Sequence, residues 1–227
     1  MNVLVTREEE KYQILAEKMK AFGLTPFSLP MIECSPVGAI ITGEYDYAVF
    51  TSLNSAKYFK PHISRVTINK VVAVGPSTAA ALLDIDIKTD IMPETFSAEG
   101  MKELFATEDV EGKKFLFAGA KVRAGDFHEY LRGRGAEPVM VATYQTQPVK
   151  YPPGYIEAFL KENKIDIVTF ASPSAARAML ADIQHIDQQI VCIGKTTADE
   201  VRLLGYDSRY PDDYTLDWMV RLIKELS

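Results

Sequence analysis

One strand–turn–helix pattern occurs twice in this chain of 227 residues. VVAVGPSTAAAL begins at Val71, and IVCIGKTTADEV begins 119 residues further on, at Ile190. Each stretch has a short apolar run, a glycine, a polar pair that ends in threonine, and then residues suited to a helix. Repetition at a long period indicates two copies of one structural unit, so the pattern limits the folds open to this chain.

Three further pairs of segments repeat in the same order. They are 3–7 with 115–119, 46–56 with 166–176, and 95–104 with 213–222. The offset between partners drifts between 112 and 120 residues. Such drift places small insertions in the connecting loops, where they are tolerated. We therefore predict that each half forms a βαβ unit, two βα units and a final helix.

The predicted strands are continuous apolar runs rather than alternating ones. Examples are YAVF at 47–50, VVAV at 71–74, IVTF at 167–170 and IVCI at 190–193. Such runs are typical of parallel strands that helices cover on both faces. The fold predicted from the residues is two flavodoxin-like, doubly wound α/β domains with parallel sheets and an internal sequence repeat.

The segment 9–23 illustrates a predicted helix. Its apolar residues Tyr12, Leu15, Met19 and Phe22 have the spacing of a single helix face. Gly23 is a typical terminator. We expect the four apolar side chains to form one buried stripe.

Composition and charge exclude several classes of function. The net charge of −6 and the absence of a long basic run disfavour nucleic acid as a partner. No apolar run has transmembrane length, and no signal segment is evident at the N-terminus, so we expect a cytoplasmic protein. The two cysteines, Cys34 and Cys192, form no CxxC pair, and Cys192 is expected to be a buried strand residue. The three histidines are scattered, so no metal site is predicted.

Four polar turns follow predicted strands. They are TSLNS at 51–55, GPST at 75–78, ASPS at 171–174 and GKTT at 194–197. Ligands of parallel α/β sheets bind at this edge, where helix N-termini present unpaired N–H groups. Ser52 and Ser172 are predicted N-caps, and so are Thr78 and Thr197 or their neighbours.

Two interpretations of these turns remain open at this stage. The hydroxyls are simple helix caps, or the turns bind the carboxylates or phosphates of a ligand. Neither GxxxxGK[ST] nor GxGxxG is present, so Lys195 is not a phosphate-loop lysine and nucleotide binding is not supported. No nucleophile–base–acid set is visible. An enzyme of this kind would act mainly by holding a reactive substrate in one shape.

The sequence resembles the uroporphyrinogen-III synthase family over nearly its whole length. The resemblance rests on VLVTR at 3–7, PMIECSP at 30–36, DYAVFTSLNSAKYF at 46–59, VVAVGPSTAAAL at 71–82, FSAEGM at 96–101, GRGAEPVMVATYQTQP at 133–148, IDIVTFASPSAARAML at 165–180 and VCIGKTTADEVRLLGY at 191–206. Each motif is loose alone, but their order and spacing together are specific.

The resemblance implies a cytoplasmic lyase of porphyrin, and thus heme, biosynthesis. It implies that linear hydroxymethylbilane loses its terminal hydroxyl, that ring D attacks to form a spiro-pyrrolenine, and that the macrocycle closes with ring D inverted. The implied products are uroporphyrinogen III and water, with no cofactor or metal. A monomer is expected, with a transient contact to the preceding pathway enzyme and no nucleic acid or membrane partner.

The resemblance also assigns candidate site residues. Tyr144 matches the tyrosine that assists departure of the hydroxyl; the alternative is a packed strand tyrosine. The implied substrate-binding residues are Thr78, Thr197, Ser52, Ser172, Arg7, Ser77, Thr196, Asn54 and Ser174. For Arg7 the alternative is a surface ion pair. An arginine–glycine pair that is common in the family is missing from FAGAKVR at 117–123, where Arg123 lies out of register.

The resemblance implies domain boundaries different from those of the repeat. The repeat alone would divide the chain near 107–114. The resemblance instead implies one domain of 1–32 with 150–227 and a second of 38–143. It implies linkers at 33–37 and 144–149 that form a two-stranded β-ladder hinge. The main alternative in function is a non-catalytic two-lobed binding protein for an anionic metabolite; a nucleotide-dependent flavodoxin-like enzyme is a weaker one.

Overall fold

A computed structural model describes residues 1–120, 126–183 and 185–226, apart from the side chain of Glu10. Its strands are β1 (Asn2–Val5), β2 (Thr25–Ser28), β3 (Ile32–Pro36), β4 (Gly43–Phe50), β5 (Val66–Ala73), β6 (Lys114–Ala120), β7 (Glu137–Pro148), β8 (Ile167–Phe170) and β9 (Gln189–Cys192). Its helices are α1 (Glu9–Ala21), α2 (Leu53–Phe59), α3 (Pro76–Leu83), α4 (Ala98–Phe105), α5 (Phe127–Gly133), α6 (Tyr155–Glu162), α7 (Pro173–Leu180), α8 (Lys195–Leu203) and α9 (Leu216–Glu225), and a 3-10 helix spans Lys60–Arg65. Arg123 lies outside the described residues.

The chain divides into two compact units, Met1–Cys34 with Gln147–Ser227 and Ser35–Thr146. The first unit holds a sheet of order β2-β1-β8-β9, and its neighbouring strands pair in parallel. The second sheet has the order β3-β7-β6-β4-β5, with parallel pairs β7-β6, β6-β4 and β4-β5. The strand order reverses once in β2-β1-β8-β9 and once in the parallel part β7-β6-β4-β5 of the second sheet, as in a doubly wound fold.

Apolar residues on both faces of the central strands explain the continuous runs in the sequence. In β1, Val3 and Val5 join one core cluster, whereas Leu4 joins the cluster on the opposite face. In β4, Val49 and Phe50 divide in the same way. Successive side chains of a strand point to opposite faces, so both faces must be covered by helices. The prediction of an α/β fold with parallel sheets is confirmed.

Helix α1 differs from its predicted apolar stripe at one residue. Leu15 and Met19 are fully buried, but Phe22 is 41% exposed. The helix ends at Ala21, and Gly23 then adopts a left-handed φ of +73°. Phe22 is the C-cap, the first residue after the helix, so the buried stripe of the helix does not extend to it. The prediction for Phe22 was wrong.

Cys192, at the end of β9, is fully buried, as predicted. Burial raises the pKa of its thiol to about 11, although a hydrogen bond with Ser208 acts in the opposite direction. Within the described part of the chain, no helix combines the length and the apolarity that a membrane span requires.

Candidate functional site

Each of the four polar turns connects the carboxyl end of a parallel strand to a helix. The turns lie between β4 and α2, β5 and α3, β8 and α7, and β9 and α8. The first two belong to the second unit and the last two to the first unit. Each unit therefore presents two helix N-termini at the ligand-binding edge of its own sheet.

Ser52 and Ser172 are the N-caps of α2 and α7, as predicted. The Oγ of Ser52 accepts the N–H of Ser55 at 3.2 Å, and the Oγ of Ser55 accepts the N–H of Ser52 at 3.1 Å, which completes a capping box. The Oγ of Ser172 accepts the N–H of Ala175 at 3.3 Å and lies 3.1 Å from the Oγ of Ser174.

Thr78 and Thr197 are not N-caps, and neither are their neighbours Ser77 and Thr196. The N-caps are glycines, Gly75 for α3 and Gly194 for α8, and neither helix has a side-chain cap. The two threonines lie at the third helical position, where each is only 3% exposed. The prediction of hydroxyl caps at these two turns was therefore wrong.

An aromatic side chain lies over each glycine, and at Gly194 it explains the choice of glycine. A Cβ atom added to Gly194 would lie 2.7 Å from the Cγ of Tyr214, so no side chain fits there unless the ring moves. A Cβ added to Gly75 would make an ordinary contact of 3.5 Å with Phe96. Both aromatic side chains are 56% exposed. The first turns of α3 and α8 thus lie beside exposed aromatic rings.

The remaining candidates of these turns differ in exposure. Ser77, Thr196 and Ser174 are exposed, whereas Asn54 is buried at 8% exposure. Lys195 forms an ion pair with Asp199 at 2.7 Å, and this hydrogen bond raises the pKa of Lys195. The ammonium group is therefore engaged within its own helix.

Arg7 follows β1 in the first unit. Burial lowers the pKa of its guanidinium, and the neighbouring carboxylate of Glu8 partly offsets this effect. No salt bridge to Arg7 occurs among the described side chains, where Glu8 is paired with Lys11 at 2.8 Å.

A cavity of about 410 Å³ lies at the carboxyl ends of β4, β5 and β6 in the second unit, beside the middle of β7. Its polar lining consists of Thr51, Ser52, Ser97, His128 and Tyr144, and the rest is apolar. None of these described lining residues carries a fixed charge. Thr78, on the neighbouring helix, is not part of the lining.

Tyr144 is 7% exposed, lines this cavity and contacts helix α2 and its N-cap residue. Its hydroxyl lies 3.4 Å from the Oγ of Ser52. This is long for a hydrogen bond, but such bonds in ligand-free sites often shorten when the substrate binds. The ring of Tyr144 stacks on that of Tyr58, with centroids 5.1 Å apart and an interplanar angle of 23°.

The sequence indicated Ser52 and Tyr144 but not their neighbours Tyr58, Phe96 and His128. Tyr58 contacts a residue 86 positions away, so no local pattern could reveal the contact. Phe96 was part of a repeated motif, in which it corresponds to Tyr214, and this was the one available signal. No group of three His, Cys, Asp or Glu side chains in the described residues is placed to bind a metal.

The fold and the site define a parallel α/β protein that presents polar helix starts and a mostly apolar cavity at the carboxyl ends of its strands. This is the arrangement of a small-molecule site. The chain belongs to the uroporphyrinogen-III synthase HemD family, whose model matches residues 13–221.

Curated relatives cover almost all of this chain. A porphyrin biosynthesis protein HemD of Ruminiclostridium josui is 26% identical over 99% of the chain, which spans about half (48%) of that longer protein. A uroporphyrinogen-III synthase of Chlorobaculum parvum is 26% identical over 89% of each sequence. The crystal structure of uroporphyrinogen-III synthetase from Helicobacter pylori 26695 matches with a TM-score of 0.71 and 18% identity, covering 100% of this chain and 99% of that one. This last likeness shows the fold alone.

Proposed function

We propose that this chain is a uroporphyrinogen-III synthase that converts hydroxymethylbilane to uroporphyrinogen III and water. The observation that carries the proposal is the family match over residues 13–221. A binding protein without catalysis, the alternative considered from the sequence, is not favoured by that match.

The proposed reaction begins with loss of the hydroxyl from the hydroxymethyl group on ring A, which leaves an azafulvene cation. Ring D attacks this cation through its substituted carbon and gives a spiro-pyrrolenine. The spiro compound fragments and recloses with ring D inverted, and loss of a proton gives uroporphyrinogen III. The departing hydroxide takes up a proton and leaves as water, so the overall change is loss of one water molecule.

Tyr144 is the proposed proton or hydrogen-bond donor to the departing hydroxyl. The Oγ of Ser52 already accepts the N–H of Ser55, so its own O–H can be donated to the oxygen of Tyr144. A phenol that accepts a hydrogen bond becomes a better donor in turn. Ser52 thus supports the direction of donation that the reaction requires.

The cavity beside Tyr144 suits one end of a linear tetrapyrrole. Its volume of about 410 Å³ lies toward the lower end of the range for small-molecule sites. Apolar walls favour the pyrrole ring and hold water away from the azafulvene cation. Tyr144 directs its hydroxyl toward this end of the substrate, and the described lining adds the polar side chains of Thr51, Ser52, Ser97 and His128.

The first turns of α3 and α8 are the proposed sites for substrate carboxylates. Neither turn is capped by a side chain, so backbone N–H groups can bind an anion. Near α8, Lys195 is already paired with Asp199, and Arg177 is paired with Glu200 at 2.8 Å. We therefore assign the binding of substrate carboxylates at α3 and α8 to backbone N–H groups, together with the hydroxyls of Thr78 and Thr197.

The proposal also covers how the substrate reaches the enzyme, its oligomeric state and its compartment. The substrate closes spontaneously without inversion, which favours transfer by a transient contact with the preceding pathway enzyme. We propose a monomer acting in the cytoplasm.

The isomer composition of the product tests the proposed function. Fresh hydroxymethylbilane is incubated with the protein, the products are oxidised, and the uroporphyrin isomers are separated. Formation of isomer III faster than the spontaneous closure supports the proposal. Isomer I alone, formed at the rate seen without protein, overturns it.

A further inference from the structure

Helix α2 contacts Tyr144 at two separate points. Its N-cap, Ser52, lies 3.4 Å from the phenolic oxygen, and Tyr58, near its C-terminal end, stacks on the phenol ring at 5.1 Å. The helix itself is fixed because Ala56 and Phe59 are fully buried in the core of the second unit. One rigid element therefore holds both the hydroxyl and the ring of Tyr144.

Tyr58 has a different environment from its neighbour Phe59. Phe59 lies in the core cluster and packs edge-on against Phe50, with centroids 5.1 Å apart. Tyr58 is only partly buried and belongs to none of the core clusters. Its ring has the ammonium group of Lys57 at 5.4 Å from the centroid. Tyr58 is therefore placed against Tyr144 and does not fill the core.

The strand that carries Tyr144 does not by itself fix the direction of that side chain. In the pairing of β6 with β7, Gly119 lies opposite Ala142, but Ala120 lies opposite Tyr144, so the register shifts by one residue there. Such irregularities redirect the side chains that follow them. The direction of the Tyr144 side chain therefore departs from the regular alternation of β7, and its ring and hydroxyl meet Tyr58 and Ser52 of helix α2.

We propose that Tyr58 is a positioning residue: its ring holds the phenol of Tyr144 in line with Ser52, so that the hydroxyl meets the leaving group. The inference rests on the proposed function for the task of the phenol, but the stack itself does not depend on that function. Functional side chains keep a productive geometry only when supporting residues lock them in place, and small displacements of a reacting group are costly.

The test uses variants that keep or remove the ring. Tyr58→Phe retains the stack, Tyr58→Leu removes it, and Tyr58→Met is a second removal in case the leucine variant does not fold. Tyr155→Leu is the matched control, because Tyr155 stacks on Tyr151 at 5.2 Å in the other unit. Three quantities are measured: kcat and KM with hydroxymethylbilane, and the 13Cζ resonance of Tyr144, which is assigned by its loss in Tyr144→Phe.

The proposal predicts that Tyr58→Leu lowers kcat by about tenfold at unchanged KM. The same variant shifts the Tyr144 resonance in the direction produced by Ser52→Ala, which removes the hydroxyl partner directly. Tyr58→Phe and Tyr155→Leu keep the wild-type kcat and resonance.

Two outcomes overturn the proposal. One is an unchanged Tyr144 resonance and kcat in Tyr58→Leu and Tyr58→Met. The other is an equal loss in Tyr58→Phe, which would assign the effect to the hydroxyl of Tyr58. If the resonance shifts as predicted while the wild-type protein forms no isomer III, the positioning role stands and the proposed function fails.

Discussion

The Oγ of Ser52 connects the start of helix α2 to the phenol of Tyr144. It accepts the N–H of Ser55 at 3.2 Å and lies 3.4 Å from the Tyr144 hydroxyl. The same oxygen atom thus caps helix α2 and contacts the candidate catalytic hydroxyl of Tyr144. Loss of this hydroxyl should affect stability and turnover together, and the two effects can be separated.

Ser52→Ala is expected to lower stability by about 1 kcal/mol through loss of the cap. It should also lower kcat roughly three- to tenfold, because the phenol loses one hydrogen-bond partner. Thr215→Ala is the matched control, since the Oγ1 of Thr215 caps α9 by accepting the N–H of Trp218 at 3.3 Å. Urea unfolding and steady-state kinetics should show similar stability losses but a kcat loss in the Ser52 variant alone. Equal kcat values in Ser52→Ala and Thr215→Ala would show that Ser52 does not assist Tyr144 in catalysis.

Thr78→Val and Thr197→Val remove a hydroxyl but keep the branched shape. Each should raise KM about two- to tenfold, the value of one neutral hydrogen bond, because the backbone N–H groups remain. Thr78→Ser and Thr197→Ser retain the hydroxyl and should keep KM near the wild-type value. An unchanged KM in both valine variants would show that the substrate does not contact these hydroxyls.

Gly194→Ala and Gly75→Ala test the aromatic contacts over α8 and α3. Both lose a favourable N-cap glycine, but only the first places a Cβ 2.7 Å from the ring of Tyr214. Gly194→Ala should therefore be less stable than Gly75→Ala by about 1–3 kcal/mol in urea unfolding. Adding Tyr214→Ala should recover most of that difference. Equal stability of the two single variants would contradict the close approach at Gly194.

The thiol of Cys192 should be unreactive in the folded protein. Its pKa of about 11, raised from 9.0 by burial, makes the thiolate about 100-fold scarcer near neutral pH. At pH 8 a thiol reagent should modify the partly exposed Cys34 in the native state, and both cysteines only in denaturant. In Cys34→Ser, fast native labelling would contradict the burial of Cys192.

The same shift sets a pH dependence of stability. The pKa of the thiol is about 9 in the unfolded chain and about 11 in the folded one. The protonated thiol therefore makes its full contribution to the free energy of unfolding below pH 9. Stability is then lost as pH rises from 9 through 11, because the unfolded state releases its proton first. Cys192→Ala should show a smaller decrease in unfolding free energy across that interval.

Much of the fold could be predicted because strand burial is visible in the sequence. Residues 167–170 are all buried, and a continuous apolar run of this kind is typical of a parallel strand covered by helices on both faces. The exposure of Phe22 could not be predicted, since apolar spacing does not show at which residue a helix stops. Gly23, which adopts a left-handed φ, located the end of helix α1 only to within two residues. Phe22 lies within that interval, so its exposure could not be predicted.

The site could be predicted only in its local parts. Ser52 and Ser172 cap helices through bonds to residues three positions away, so the sequence contains both partners. Glycine is the N-cap at position 194 because the ring of Tyr214, which lies 20 residues further along the chain, leaves no room for a Cβ atom. No rule of local spacing distinguishes a threonine at the cap from one at the third helical position.

The rate of isomer III formation, measured side by side for the wild-type protein and Tyr144→Phe, tests the central claim most directly. Tyr155→Phe, which removes a tyrosine hydroxyl outside the cavity, is the control. We predict that the wild-type protein forms isomer III, and that Tyr144→Phe forms it roughly ten- to a thousandfold more slowly, the range of one proton-transfer contribution. Spontaneous isomer I should then replace the missing product. Isomer III formed by Tyr144→Phe at the wild-type rate would contradict the role of this phenol.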